Sequence, residues 1–259
     1  MRDIQAILTI ASRDFTKLLR DRMRIIIGLI FPFVFVGVLG GSLQANLSQD
    51  AGFDFMYFVF TGVIAQTLFQ STAAGIISLI EDKENDYSQE LFVAPISRQA
   101  ILIGKILGET LVSYTQLIGI LVMGLVFGIV FSPSELVMIL VAGLLCAFLG
   151  GAFGVIIMAN MNNQRSANQI FPFLLFPQFF LSGVFTPIKE LPPYLFILSR
   201  IAPMTYAVDF LRSIYYAGKP EYDKVVLHST SYNLSAIIIF SLIFISLGTY
   251  LFIKNERNK

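Results

Sequence analysis

Six stretches of roughly twenty mostly apolar residues run through this chain, the length a helix needs to cross the hydrocarbon layer of a bilayer. They fall at about 25–43, 55–80, 101–131, 136–159, 168–185 and 234–253. Lipid as solvent also explains the composition: of 259 residues, 56% are hydrophobic and 14% charged, whereas a soluble domain averages about 25% charged. The expected fold class is all-α integral membrane, with six transmembrane helices in one domain over residues 25–259. The formal net charge of +1 gives no overall field that would draw nucleic acid.

Residues 1–24 read as a separate unit. Ile4, Ile7, Leu8, Ala11, Phe15, Leu18 and Leu19 recur at helical spacing, with Arg2, Gln5, Thr9, Arg13, Thr16 and Lys17 on the remaining surface. The pattern predicts an amphipathic interfacial helix whose cluster Arg13, Lys17, Arg20, Arg22 and Arg24 faces an anionic leaflet. No small-residue cleavage site follows the first apolar run, so a cleavable leader is not expected. With the N-terminus inside, thirteen of the 18 Lys and Arg lie in cytoplasmic segments. The other five, Lys189, Arg200, Arg212, Lys219 and Lys224, share one long outer segment. That asymmetry places both termini in the cytoplasm.

Two connections stand out. Segment 81–98 carries a charged block, the apolar tetrad Leu91, Phe92, Val93 and Ala94, and then Pro95. A short helix ending at Pro95 would offer the cytosol a small hydrophobic face rimmed by charge, which suits docking. Segment 186–218 places Pro187, Pro192, Pro193 and Pro203 between apolar pieces too short to span, as in re-entrant helices that cap the outer side. Lys105 and Glu109, four apart in the third span, are expected to pair near the cytoplasmic boundary. Pro172 and Pro177 predict a bent fifth span.

The motifs of common chemistry are missing. Gly104-Lys105 is followed by Ile106 and Gly218-Lys219 by Pro220, so neither makes a phosphate loop. One cysteine, Cys146, and one histidine, His228, exclude a disulfide framework and a Cys or His metal cluster. His228 with Asp209 is the only catalytic pair to weigh, and surface histidine is the simpler reading. The chain thus shows no site of its own for energising transport.

Two longer segments carry a resemblance. In DKENDYSQELFVAPISRQAILIGKILGE, residues Lys83, Glu84, Leu91, Pro95, Ser97, Arg98, Gly104 and Lys105 occupy a family pattern, with Asp86 departing from the Gly of many relatives. In FLSGVFTPIKELPPYLFILSRIAPMTYAVDFLR, so do Ser182, Gly183, Pro187, Pro203, Thr205, Tyr206, Val208, Asp209 and Arg212. The chain resembles the permease subunits of type-2 ATP-binding-cassette (ABC) exporters, a family of drug-efflux, lipo-oligosaccharide and polysaccharide export permeases.

The resemblance implies a coupling helix between spans two and three, and a dimer with a second permease chain, homodimer or heterodimer. It also implies two cytosolic ATPase subunits, which hold the ATP and Mg, in a cytoplasmic (inner or plasma) membrane. The ATPase-coupling residues are then Lys83, Glu84, Glu90, Leu91, Phe92, Pro95 and Arg98. The outer gate comprises Pro187, Pro203, Tyr206, Asp209 and Arg212. Spans one and five lie near the dimer axis, with Gly37, Gly40 and Gly41 open to close approach. The abundance of Phe over Trp, 25 to none, favours a drug or lipid-like substrate along Phe31, Phe35, Phe69, Phe176 and Phe179. Polysaccharide or glycolipid export is the alternative, and a non-transporting membrane subunit the second.

Overall fold

The structure, a computed structural model, describes residues 2–84, 96–161 and 163–257, and every regular element among them is helical. Helix α1 spans Arg2–Arg20 and α2 Arg22–Val34, and a π-helical stretch, Phe35–Gly40, leads into α3, Gly41–Ala51. Helix α4 covers Phe55–Glu84, α5 Arg98–Val126, α6 Pro133–Ala159 and α7 Gln164–Leu181. A 3-10 turn at Ile188–Glu190 precedes α8, Pro193–Ser199, and α9, Pro203–Tyr215. The single turn α10, Tyr222–Val225, and the long α11, Thr230–Arg257, complete the path.

Among the described residues, five helical runs are long and apolar enough to cross a membrane: Ile25–Leu47, Phe55–Ile80, Gln99–Val126, Pro133–Ala159 and Tyr222–Asn255. A sixth is reached if α8 and α9, which meet at 87°, count as one broken span. The fifth expected span differs from the other five. It forms as α7 over 164–181 instead of 168–185, and the helix continues through both Pro172 and Pro177. Asn163 sets its start by accepting the Ser166 N–H at 2.7 Å, an N-cap that draws a polar first turn into the helix. At 18 residues it is about 27 Å long, and the polar run Gln164 to Gln169 lowers its apolarity.

The third span also stops earlier than its apolar run. Gly128 takes φ 78°; its N–H bonds the Leu125 carbonyl and the Ile129 N–H the Gly124 carbonyl. This paired closure needs a left-handed residue, which glycine supplies without a Cβ penalty. Phe131 therefore lies in the loop, where its ring stacks on Phe60 at 5.4 Å. The next helix begins on a capping box: Ser132 Oγ accepts from Glu135 N, Glu135 Oε2 accepts from Ser132 N, and Pro133 fills the first position.

Helix α4 is the centre of the bundle, packed on α6, α5 and α9, with Phe58, Phe60, Ile64, Leu68, Phe69 and Ile76 fully buried. It crosses α6 closely because a Cβ at Gly150 or Gly154 would strike the carbonyls of Phe69 and Ala73, the small-residue contact that membrane helices use. Two of the glycines expected at a dimer axis make close contacts within the chain. A Cβ at Gly37 would meet the Phe127 ring, and one at Gly40 would meet Met56 and Val59. The π-helical stretch turns this face of span one inward onto α4 and α5.

The outer pair is more than a cap. Helix α9 is buried along nearly its whole length and wedges between α6, α4 and α11.

Candidate functional site

The wedge is held by polar side chains aimed at backbone. Arg212 Nη1 donates to the Gly183 carbonyl at 2.6 Å, and Nη2 donates to Phe58 and Val184 carbonyls at 2.9 and 3.1 Å. Its guanidinium lies 3.5 Å from the Phe58 ring centroid. The slot exists because Gly62 has no Cβ; one there would meet both Arg212 Nη2 and the Val184 carbonyl. Asp209 faces the other way, accepting from Leu227 N, His228 N and Asn233 Nδ2 at 2.7, 2.8 and 2.8 Å. Each of the two thus fixes α9 to a different neighbour.

The remaining outer-gate residues form the bend. Pro187 precedes the 3-10 turn and Pro203 opens α9. Tyr206 Oη donates to the Arg200 carbonyl at 2.8 Å and Thr205 Oγ1 to the Ser199 carbonyl at 2.7 Å. Gln178 of α7 joins them, accepting from Met204 N at 3.3 Å. The His228 ring packs beside Tyr206 and Tyr232, and it is the His228 backbone N–H that Asp209 accepts from.

At the opposite end, Lys105 Nζ sits 2.8 Å from Asp14 Oδ2 and 3.5 Å from Glu109 Oε1, all three side chains 2% exposed. The Lys105–Glu109 pairing was legible; Asp14 was not. Its signal was its place on one face with Ile7, Ala11 and Leu18, an acid within an apolar stripe. That face packs on α5 at Gly104 and Gly108, where added Cβ atoms would press on the Ile7 and Ala11 backbone. Asp3 accepts from Ser97 N and Oγ at 3.3 and 3.1 Å, so α1 is fixed to the first turn of α5 as well. The amphipathic stripe is consequently divided: Ile10, Ala11 and Leu18 are buried, while Ile4, Leu8 and Leu19 stay exposed.

Of the coupling residues, Glu90, Leu91, Phe92 and Pro95 lie outside the described residues. Lys83 and Glu84 end α4, and Arg98 begins α5, so both flanks of that segment are continuous with spanning helices. Of the five pathway aromatics, four come together. Phe31 lies 3.9 Å from Phe35 and 5.7 Å from Phe179, and Phe179 6.2 Å from Phe176, measured between ring centroids. Phe69 lies apart from them, fully buried and 5.5 Å from Phe153. Phe31 also lines a cleft of about 300 Å³ between α2, α4 and α5, which Thr67, Gln70, Ser71 and Gln116 furnish with polar groups. Among the described residues, no three His, Cys, Asp or Glu side chains gather to hold a metal.

These features have counterparts in known proteins. The family model for ABC-2 type transporters matches residues 5–216. The chain is 24% identical over 261 residues to the putative transport permease ycf38 of Cyanophora paradoxa, covering 97% of this chain and 89% of that one. It is 25% identical over 177 residues to the inner membrane transport permease YadH of Escherichia coli K12, 68% of each. It is 21% identical over 206 residues to ABC transporter G family member 20 of Dictyostelium discoideum, 79% of this chain and 27% of that one. The all-helical bundle with its long apolar helices and this match over most of the length agree: the chain belongs to the ABC-2 type transporter family of membrane permeases.

Proposed function

We propose that this chain is the membrane-spanning subunit of an exporter that moves a hydrophobic or amphipathic molecule, drug or lipid-like, outward across the cytoplasmic membrane. ATP and Mg are held by a separate cytosolic ATPase present in two copies, and both termini of this chain face the cytosol. The family is a transport family whose members work with an ABC ATPase. The single observation that carries the substrate class is the cleft at Phe31. Its walls of Ile27, Phe31, Pro32 and Ala74 offer apolar contact while Thr67, Gln70, Ser71 and Gln116 offer a few hydrogen bonds, the combination that holds an amphipathic molecule.

Two further features support the reading. Phe173, Phe176 and Phe180 on α7 are 80%, 62% and 56% exposed, an apolar face for lipid or for a second permease chain. The contacts of Asp3, Gly104, Gly108 and Asp14 make α1 and the start of α5 one stiff unit immediately after residues 85–95. A stroke delivered to that segment by the ATPase would therefore pass into the bundle undamped. The outer pair α8 and α9 acts as the gate.

The test replaces Leu91 and Phe92 together by Ser. Exposing a Leu and a Phe forfeits about 1.5–3 kcal/mol each relative to burial, so a docked partner would lose that gain. In reconstituted vesicles the double variant should insert normally yet lose ATPase co-purification or transport per ATP hydrolysed. Unchanged values of both would refute the coupling role.

A further inference from the structure

The outer end of the bundle contains a second cavity, of about 300 Å³, which neither the gate nor the aromatic cleft uses. Its walls come from three places: the start of α4, the loop and cap leading into α6, and the turn after α9. Three tyrosines form its apolar sides. Tyr57 and Tyr215 are nearly parallel at 6.4 Å between centroids, and Tyr216 stands at 83° to Tyr215 at 5.0 Å. Asp54, Glu135 and Glu221 complete the lining.

Into this box the chain inserts a cation of its own. Lys219 Nζ lies 2.6 Å from Glu135 Oε1, 3.7 Å from the Tyr215 centroid and 5.6 Å from that of Tyr216. An ammonium against aromatic faces and a carboxylate is the arrangement that recognises amines and quaternary ammonium groups. Glu135 is the carboxylate that meets this ammonium. Asp54, which caps α4 through the Met56 and Tyr57 N–H groups, and Glu221 line the same cavity, so its lining carries more negative than positive charge, an excess that a second cation would relieve. Tyr216 gives an independent sign: it is 4% exposed, it lines the cavity, and its hydroxyl has no hydrogen-bond partner among the described residues. Lys219 itself keeps 33% side-chain exposure and follows Gly218, whose φ is 77°. It is a tethered occupant at the mouth, not a sealed core residue.

We propose that this cavity is an ammonium-binding site on the outer side, with Lys219 as a displaceable internal ligand. The external ligand carries a primary to quaternary amine, supplied either by a water-borne organic cation or by an ammonium-bearing lipid headgroup. The site stands whether or not the chain exports, because its test is equilibrium binding and not transport.

The experiment titrates tetramethylammonium chloride into the purified chain by calorimetry, with sodium chloride at equal ionic strength as reference. Lys219→Gln vacates the box and should bind at least about tenfold tighter than the unmodified chain. Adding Glu135→Gln, which keeps the helix cap because Gln serves at that position, should remove the gain. Equal affinity in the single variant, or a gain that survives the second substitution, overturns the proposal. Should Lys219→Gln not purify, the unmodified chain is read by amine labelling: saturating tetramethylammonium should raise Lys219 reactivity, and unchanged reactivity overturns the site. Nanodiscs assign the source. At a fixed share of phosphatidylglycerol, weaker tetramethylammonium binding when the remaining lipid is phosphatidylethanolamine than when it is an uncharged glycolipid identifies a headgroup as occupant, and equal binding identifies a soluble cation.

Discussion

The two ends of the bundle satisfy their buried charges by different means. Beside α1, Lys105 is matched by carboxylates, Asp14 across to α1 and Glu109 one turn along its own helix, charge against charge. In the α9 wedge, Arg212 and Asp209 are matched by main chain: carbonyls of Phe58, Gly183 and Val184 for one, N–H groups of Leu227 and His228 for the other. A set of mutually matched charges can be removed together with little loss. A side chain bound to backbone cannot, because the carbonyl it leaves stays where it was. The α9 wedge is therefore bound into the main chain around it, while the Lys105 end is held by charged groups that can be removed together.

Three substitutions break or sharpen this contrast. The largest effect is expected of Arg212→Leu, which orphans the Gly183 and Val184 carbonyls and empties the slot at Gly62. A loss on the order of 4 kcal/mol should appear as poor folding yield and a lowered melting midpoint in detergent. Combining it with Asp209→Leu should give no recovery; recovery would mean that the two charges serve each other after all. Next comes Lys105→Met, which takes the buried ammonium away from Asp14 and Glu109 while Arg13 stays on Asp14, and should lose about 3 kcal/mol. Here the triple variant Asp14→Leu, Lys105→Met, Glu109→Gln should regain most of the midpoint, and failure to do so would erase the distinction between the ends. The smallest is Asp209→Asn, which keeps one acceptor oxygen for the Leu227 and His228 N–H groups. It should lose about 1 kcal/mol, read as faster hydrogen exchange at those two amides with the rest of the wedge unchanged.

The spanning helices were legible because apolar length is a local property. Pairing of Lys105 with Glu109 was legible for the same reason, being an i, i+4 relation. Stops and partners were harder. Gly128 ends α5 inside a run that stays apolar through Phe131, so hydropathy masked a backbone signal. Asn163 began α7 in a polar stretch for which lipid gave no expectation. Asp14, Gly62 and Gln178 take their roles from Lys105, Arg212 and Met204, neighbours 26 to 150 residues away, a separation that periodicity does not carry. Gly37 and Gly40 meet Phe127, Met56 and Val59 of this chain, contacts that their spacing alone does not name.

The pairing of Asp14 with Lys105 also sets an order of events at the ribosome. The acid is made roughly ninety residues before the base that receives it, a delay on the order of ten seconds at ordinary synthesis rates. Until then Asp14 has Arg13 beside it but not the buried ammonium of Lys105, and the rest of its helix face has only water and headgroups as partners. Helix α1 thus waits at the membrane surface while spans one and two insert, and it docks only when Gly104, Lys105 and Gly108 arrive. The first segment to be synthesised is among the last to find its place, and a chain interrupted before residue 105 would carry an exposed amphipathic helix whose acid lacks its partner in α5.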